Sequence, residues 1–201
     1  MLIASPIALA DMDEHTDSIF HAFKLQADNG EGRDNAIARW ELDGWVGGDN
    51  NKLWLKSQGE KTGDQTEKSE LWAMYSRNID TFWDAQIGIR HDNKPQSTSY
   101  LALGLNGLTP YFFETKTHVF VSDDNEVSFR IHEENDFLIT QQWILKPYGE
   151  INIYQGNSDG EIGLQLRYEI TRKLAPYVDL RHTRGDNGDD LIIAAGLQVI
   201  F

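Results

Sequence analysis

The chain has 201 residues, 32 acids against 18 bases for a formal charge of −14, 40% apolar residues and no cysteine. The acidic balance excludes a nucleic-acid partner, because phosphate binding needs a basic footprint; the lack of cysteine excludes disulfides, thiolate catalysis, iron–sulfur clusters and thiolate zinc sites. No stretch approaches the ~20 apolar residues of a membrane-spanning helix, yet 6 Trp, 7 Tyr and 9 Phe are too many aromatics for a disordered chain.

The N-terminal stretch "MLIASPIALAD" is apolar and places Ala8-Leu9-Ala10 where a signal peptidase would cut, although it lacks a basic leader. Residues 1–17 are therefore expected to be the remnant of an export signal followed by a short, disordered acidic tail, "DMDEHTD". Residues 18–201 are expected to form one folded unit.

From there on the dominant period is two. In "IARWELDGWV" Ala38, Trp40, Leu42 and Val46 oppose Arg39, Glu41 and Asp43. In "KLWLKSQ" Leu53 and Leu55 oppose Lys52, Trp54 and Lys56, and in "ELWAMYS" Leu71, Ala73 and Tyr75 oppose Glu70, Trp72 and Met74. "FWDAQIGIR" and "EIGLQLRYEI" repeat the split, with Ile87 and Ile89 against Asp84 and Arg90, and Ile162, Leu164 and Leu166 against Glu161, Gln165 and Arg167. Such segments number about twelve and begin near residues 18, 36, 51, 68, 81, 97, 110, 126, 142, 160, 174 and 190. The fold expected is all-β, and an even strand number suits a closed antiparallel transmembrane barrel. The connections are read as alternating between tight ones, such as "GGDN" and "NIDT", and longer polar ones, such as "QGEKTGDQTEK" and "HDNKPQST". That alternation predicts short periplasmic turns, shared with the N-terminus, and longer external loops.

Periodicity alone does not distinguish this barrel from a soluble sandwich or a lipocalin-like barrel. The charges argue for the membrane. Bases such as Lys24, Arg39, Lys56, Arg90, Arg130 and Arg181 nearly balance acids such as Glu41, Asp43, Glu70, Glu134 and Asp179 on the polar faces, as a narrow, ion-paired lumen requires. Tyr75, Trp83, Tyr111, Phe113 and Tyr168 lie near the ends of apolar faces, as in an interfacial girdle. The last strand, "LIIAAGLQVIF", puts Leu191, Ile193, Ala195, Leu197, Val199 and Phe201 on one face. It resembles the final strand of outer-membrane barrels, whose C-terminal Phe is read by the barrel-assembly machinery.

Longer stretches go beyond a generic pattern. "GGDNNKLWLKSQGE", "WDAQIGIRHD", "LNGLTPYFFE", "ITQQWILKPYGEINIY" and "LRYEITRKLAPYVDL" look like the copper resistance protein B family of Gram-negative outer membranes. The resemblance implies an outer-membrane location, outer-membrane lipid and lipopolysaccharide around the barrel, and a place in a copper-resistance system that binds copper ions or mediates their passage. It also implies a periplasmic copper oxidase or copper carrier as partner. Copper would be a bound or transported ion and not a catalytic cofactor. Family members often begin with a segment rich in Met and His; here only Met12, His15 and His21 remain.

Copper(I) takes thioether and imidazole donors, and copper(II) takes imidazole with oxygen. Met12 and His15 flank two carboxylates and suit weak capture, though a solvated acidic tail is the commoner explanation. His118 and His132 fall on the polar faces of neighbouring strands, as a lumenal pair or as members of an ion network. Met74 is expected inward, as a thioether donor or as filler beside Trp72. His91 is expected at the strand end, as a mouth ligand or in a loop hydrogen bond. His182 and His21 carry lipid-facing parity, which would suit an outer-membrane lipid hydrolase, but no serine motif marks a nucleophile and no catalytic constellation is visible. The remaining alternative is a general structural or porin-like barrel.

Overall fold

The computed structural model describes residues 19–33, 35–185 and 188–201. The expected export-signal remnant and tail, with Met12 and His15, lie outside the described residues. Thirteen strands follow in chain order: β1 Phe20–Glu31, β2 Ala36–Gly47, β3 Asn51–Thr62, β4 Gln65–Asp80, β5 Trp83–Lys94, β6 Thr98–Leu108, β7 Glu114–Ser122, β8 Val127–Glu134, β9 Phe137–Leu138, β10 Trp143–Tyr154, β11 Asn157–Tyr168, β12 Leu174–Gly185 and β13 Gly188–Ile200. Neighbours pair antiparallel throughout. The sheet closes because β13 also pairs with β1, from Lys24↔Ile200 to Glu31↔Ile193. Twelve long strands form the barrel. The short β9 continues the line of β8 along β10, pairing Leu138 with Ile144 where β8 has already ended. Its two residues are too few to show a period of two in the sequence.

The connections differ from expectation. The polar run "QGEKTGDQTEK" is mostly strand, for β3 continues to Thr62 and β4 begins at Gln65, leaving only Gly63 and Asp64 between them. Gly63 takes φ +58, a left-handed turn conformation that suits glycine. Tyr154 and Asn157 are likewise joined by Gln155 and Gly156 alone. At the opposite end, which carries Phe20 and Ile200, residues 109–113, 135–142 and 169–173 make longer connections. The expected alternation of short and long ends is thus overturned. Outside an apolar belt both faces of a strand meet water, so a paired strand there loses its alternation and reads as a loop.

Parity holds within the belt. Ile89, Leu101 and Ile193 are 62%, 50% and 59% exposed on the outer face, whereas Glu70 and Arg181 are 2% and 1% exposed inside. An apolar exterior around a charged interior inverts the soluble pattern and excludes the sandwich and lipocalin-like alternatives. Strands of 12 residues suffice for a tilted crossing, which needs about 9–11.

The interior is held by two polar clusters. In the first, Glu70 accepts hydrogen bonds from Arg90 Nη2 (3.0 Å), Arg130 Nη1 and Nη2 (both 3.0 Å), Trp72 Nε1 (3.0 Å) and Gln58 Nε2 (2.7 Å). Both guanidiniums also lie over aromatic faces. Arg90 sits 4.8 Å from the Phe120 ring centre and Arg130 sits 5.2 Å from that of Trp72. Trp72, Met74, Ala102 and Phe120 pack together around them. In the second cluster Arg181 bridges Asp28 (3.2 Å) and Asp179 (3.0 Å), while Tyr177 and Tyr148 donate to the same two carboxylates at 3.0 Å. Separately, Gln26 Nε2 donates to Gln198 Oε1 at 3.0 Å. The Glu70–Arg130 pairing reaches from β4 to β8, and the second cluster ties β12 to β1 and to β10, each two strands away, so together they fill the lumen and brace it.

The seam reaches the last residue. Phe201 N donates to Phe23 O at 3.0 Å and Phe23 N to Phe201 O at 2.9 Å, and the two rings stack at 5.9 Å. Deleting Phe201 removes both bonds and the ring contact, so reversible unfolding in lipid vesicles should show a loss of about 2 kcal/mol; equal stability would contradict this role. Glu70→Ala leaves Arg90 and Arg130 without their shared carboxylate and should cost about 3–5 kcal/mol in the same measurement. Glu70→Ala with Arg130→Ala should recover part of that loss, and strict additivity would contradict the pairing.

Candidate functional site

Met74, His118 and His132 are brought together. Lumen-facing positions of β4, β7 and β8 carry them, and all three line one cavity of about 40 Å³. The register pairs His118 with Arg130 and His132 with Lys116, so the imidazoles lie on a diagonal across the hairpin and not directly opposite. Asp43, Glu150, Gln86 and Asn106 add oxygen donors to the lining, and Lys56, Lys116 and Arg130 add positive charge.

The two imidazoles are held differently. His118 is 6% exposed and its Nε2 lies 3.0 Å from Gln86 Oε1. Its ring stands edge-on to Trp72 at 5.2 Å and stacks on Phe120 at 5.9 Å. It lies so close to β6 that a Cβ on Gly104 would fall 2.3 Å from His118 Cδ2, so glycine is required there for the ring to occupy its place. His132 instead stands between two carboxylates, with Nε2 3.6 Å from Glu134 Oε2 and Nδ1 3.4 Å from Glu150 Oε2. Its Nδ1 is buried and makes no hydrogen bond. Met74, 2% exposed, packs with Trp72, Ala102 and Phe120.

One thioether, two imidazoles and nearby carboxylates form a donor set that suits copper better than magnesium or calcium, which take all-oxygen shells. Among the described residues no group of three or more His, Asp or Glu stands in metal-holding geometry. Coordination in this cavity would therefore draw on Met74 and on movement of the side chains around it.

The other sequence candidates lie elsewhere. His21 is exposed on the outer face of β1 opposite Val46. His91 also has outward parity, near the end of β5, where Nδ1 lies 3.0 Å from Ser99 Oγ. His182 is exposed between Ile162 and Leu191. Sequence reasoning did not single out Asn106 or Glu150 as cavity-lining residues. Asn106 is the cross-strand partner of Lys116 and Glu150 that of His132, so their places depend on register between neighbouring strands, for which a single strand's parity carries no signal.

The sequence matches the family model described as "Copper resistance protein B precursor (CopB)" over residues 20–198. It is 36% identical over 183 residues to "Copper resistance protein B homolog" of Pseudomonas syringae pv. tomato, covering 86% of this chain and 62% of the relative. It is 33% identical over 185 residues to "Copper resistance protein B" of Escherichia coli, covering 81% and 62%. The chain thus spans less than two thirds of the length of these relatives. Among solved structures the fold is similar to the NanC porin (TM-score 0.65, 11% identity, 87% of this chain and 98% of that one). It is also similar to the KdgM porin (0.62, 12%, 88% and 98%) and to outer membrane phospholipase A from Escherichia coli (0.55, 13%, 95% and 94%). At these identities the likeness is one of fold, an outer-membrane type of barrel. With the family match running across nearly all of the barrel, the chain belongs to the copper resistance protein B family.

Proposed function

We propose that this barrel serves copper resistance by binding copper ions in its lumen, at the cavity of Met74, His118 and His132, and by mediating their passage across the outer membrane. The observation that carries this reading is the convergence of the only thioether and the only two imidazoles facing the lumen, among the described residues, on one cavity. In a bare lumen of lysines and carboxylates such donors would have no special value; for copper they are the preferred ones.

The tail supports the same reading at the entrance. Met12 and His15 precede β1 in the sequence and His21 opens it, at the barrel end that also carries Phe201, and that end is proposed to face the periplasm. There the tail would collect copper from a periplasmic oxidase or carrier. The outer face would meet lipid and lipopolysaccharide, and Phe201 would present the closing strand to the barrel-assembly machinery. His91, turned outward and engaged with Ser99, is left out of the lumenal set. A non-enzymatic role is part of this reading. The cross-strand neighbours of His182 are Ile162 and Leu191 and that of His21 is Val46, whereas His91 is the outward histidine that meets a hydroxyl, Ser99 Oγ at 3.0 Å.

The test is copper titration of the purified barrel with metal analysis after desalting. Wild-type protein should retain copper, and Met74→Leu with His118→Gln should weaken retention by roughly tenfold or more. Substituting Met12 and His15 should have the smaller effect. Absence of binding by the wild type would leave the porin-like alternative. In cells, deletion of the gene should lower copper tolerance or change cell copper content, and unchanged values across a copper titration would contradict the proposal.

A further inference from the structure

The lumen is not uniformly filled. Besides the cavity of about 40 Å³ that holds Met74 and His118, a second of about 30 Å³ is lined by Gln26, Glu134, Lys146, Gln165 and Asp179. A third, of about 60 Å³, is lined by Gln58, Glu60, Lys68 and Glu161. Each has room for a water molecule or two. Their places along the strands differ. The third cavity lies toward the tight-turn end, since Glu60 and Lys68 flank the β3–β4 turn. The first two lie from mid-barrel toward the end that carries both Phe20 and Ile200, with Trp54 and Asn106 near the close of their hairpins.

One side chain lines all three: His132. The third cavity shares Lys56 and Glu150 with the soft-donor cavity, and Arg39, Trp40 and Glu41 with the oxygen-lined one. Among the described residues, the two cavities nearer the Phe20 end have no lining residue in common except His132.

We infer that His132 is the gate of the lumen: its imidazole closes a branched chain of cavities at the point where they meet, and its rotation joins the tight-turn mouth to the soft-donor cavity for a metal cation. This rests on the passage reading above and adds the route and its constriction. Glu150, bordering both the third cavity and the Met74 cavity, stands where a cation entering from the turn end first meets a carboxylate next to the ring. The ring is set by charge and not by hydrogen bonds: it stands at ion-pair distance from Glu134 and Glu150, 3.6 and 3.4 Å, its Nδ1 makes no hydrogen bond, and it stacks at 24° on Tyr148 with ring centres 6.5 Å apart. His118, by contrast, is fixed by Gln86, Phe120, Trp72 and the backbone at Gly104. One imidazole is thus fixed by packing and the other set by charge, and the inferred rotation belongs to the second. The oxygen-lined branch offers no thioether and ends among the paired Asp28, Asp179 and Arg181, where a cation would have to displace an existing guanidinium.

The experiment is potassium chloride conductance of the full chain in planar bilayers, which needs no copper. It can therefore fail while copper binding stands, and succeed while copper binding fails. His132→Ala should raise single-channel conductance about threefold or more, and His132→Gln, which keeps much of the side-chain volume, should stay near wild type. Heat-modifiable gel mobility verifies that each variant is a folded barrel. Wild-type conductance in His132→Ala, or an equal rise in His132→Gln, would overturn the inference. If His132→Ala does not insert, the wild type decides: diethyl pyrocarbonate modification of the ring should lower its residual conductance and leave His132→Gln unaffected, and absence of that difference would overturn it.

Discussion

Glu70 has 2% of its surface exposed, yet it binds two guanidiniums, an indole N–H and an amide. That arrangement expresses the constraint on which the rest of the barrel depends. With lipid outside, the apolar residues of every strand turn outward, and the ions are forced into a narrow interior where an unpaired charge is costly. The chain meets this by pairing residues across the interior, as Arg130 of β8 does with Glu70 of β4 and Lys116 of β7 with Asp43 of β2. The same contacts that satisfy the charges fill the lumen, so bracing and occlusion have one origin.

The proposed site follows from that packing. Trp72 and Phe120 stand edge to face at 5.0 Å, and together they hold Met74 on one side and the His118 ring on another. Gly104 removes the side chain that would otherwise displace this imidazole. His132 belongs instead to the region of Glu134, Glu150 and Lys146, where charge, rather than aromatic contact, sets the geometry. An imidazole fixed by aromatic packing beside one set between two carboxylates is the feature that separates this lumen from a simple ion-paired plug.

Much of this was legible in the sequence because a barrel strand buried on one side and facing lipid on the other retains a strict period of two. Met74, His118 and His132 could be placed inward from parity alone, and "LIIAAGLQVIF" marked the closing strand. Two things were not legible. In "QGEKTGDQTEK" the strands continue past the apolar belt, where polar residues are acceptable on both faces, and pairing leaves no trace in the pattern. Convergence between strands was hidden as well. The contact of His118 with Gln86 of β5 reaches past the intervening β6, and the closeness of His132 to Glu150 follows from the β8–β10 register, neither of which the periodicity of one strand encodes.

The family match ties the chain to copper resistance, and the arrangement of donors ties the proposed copper chemistry to particular atoms. X-ray absorption spectroscopy of the copper-loaded, full-length barrel tests that link most directly. The account predicts one sulfur scatterer together with imidazole nitrogens, with the sulfur lost in Met74→Leu and retained when Met12 is replaced. A copper shell of oxygen and nitrogen only, or a sulfur signal that follows Met12 instead of Met74, would contradict it.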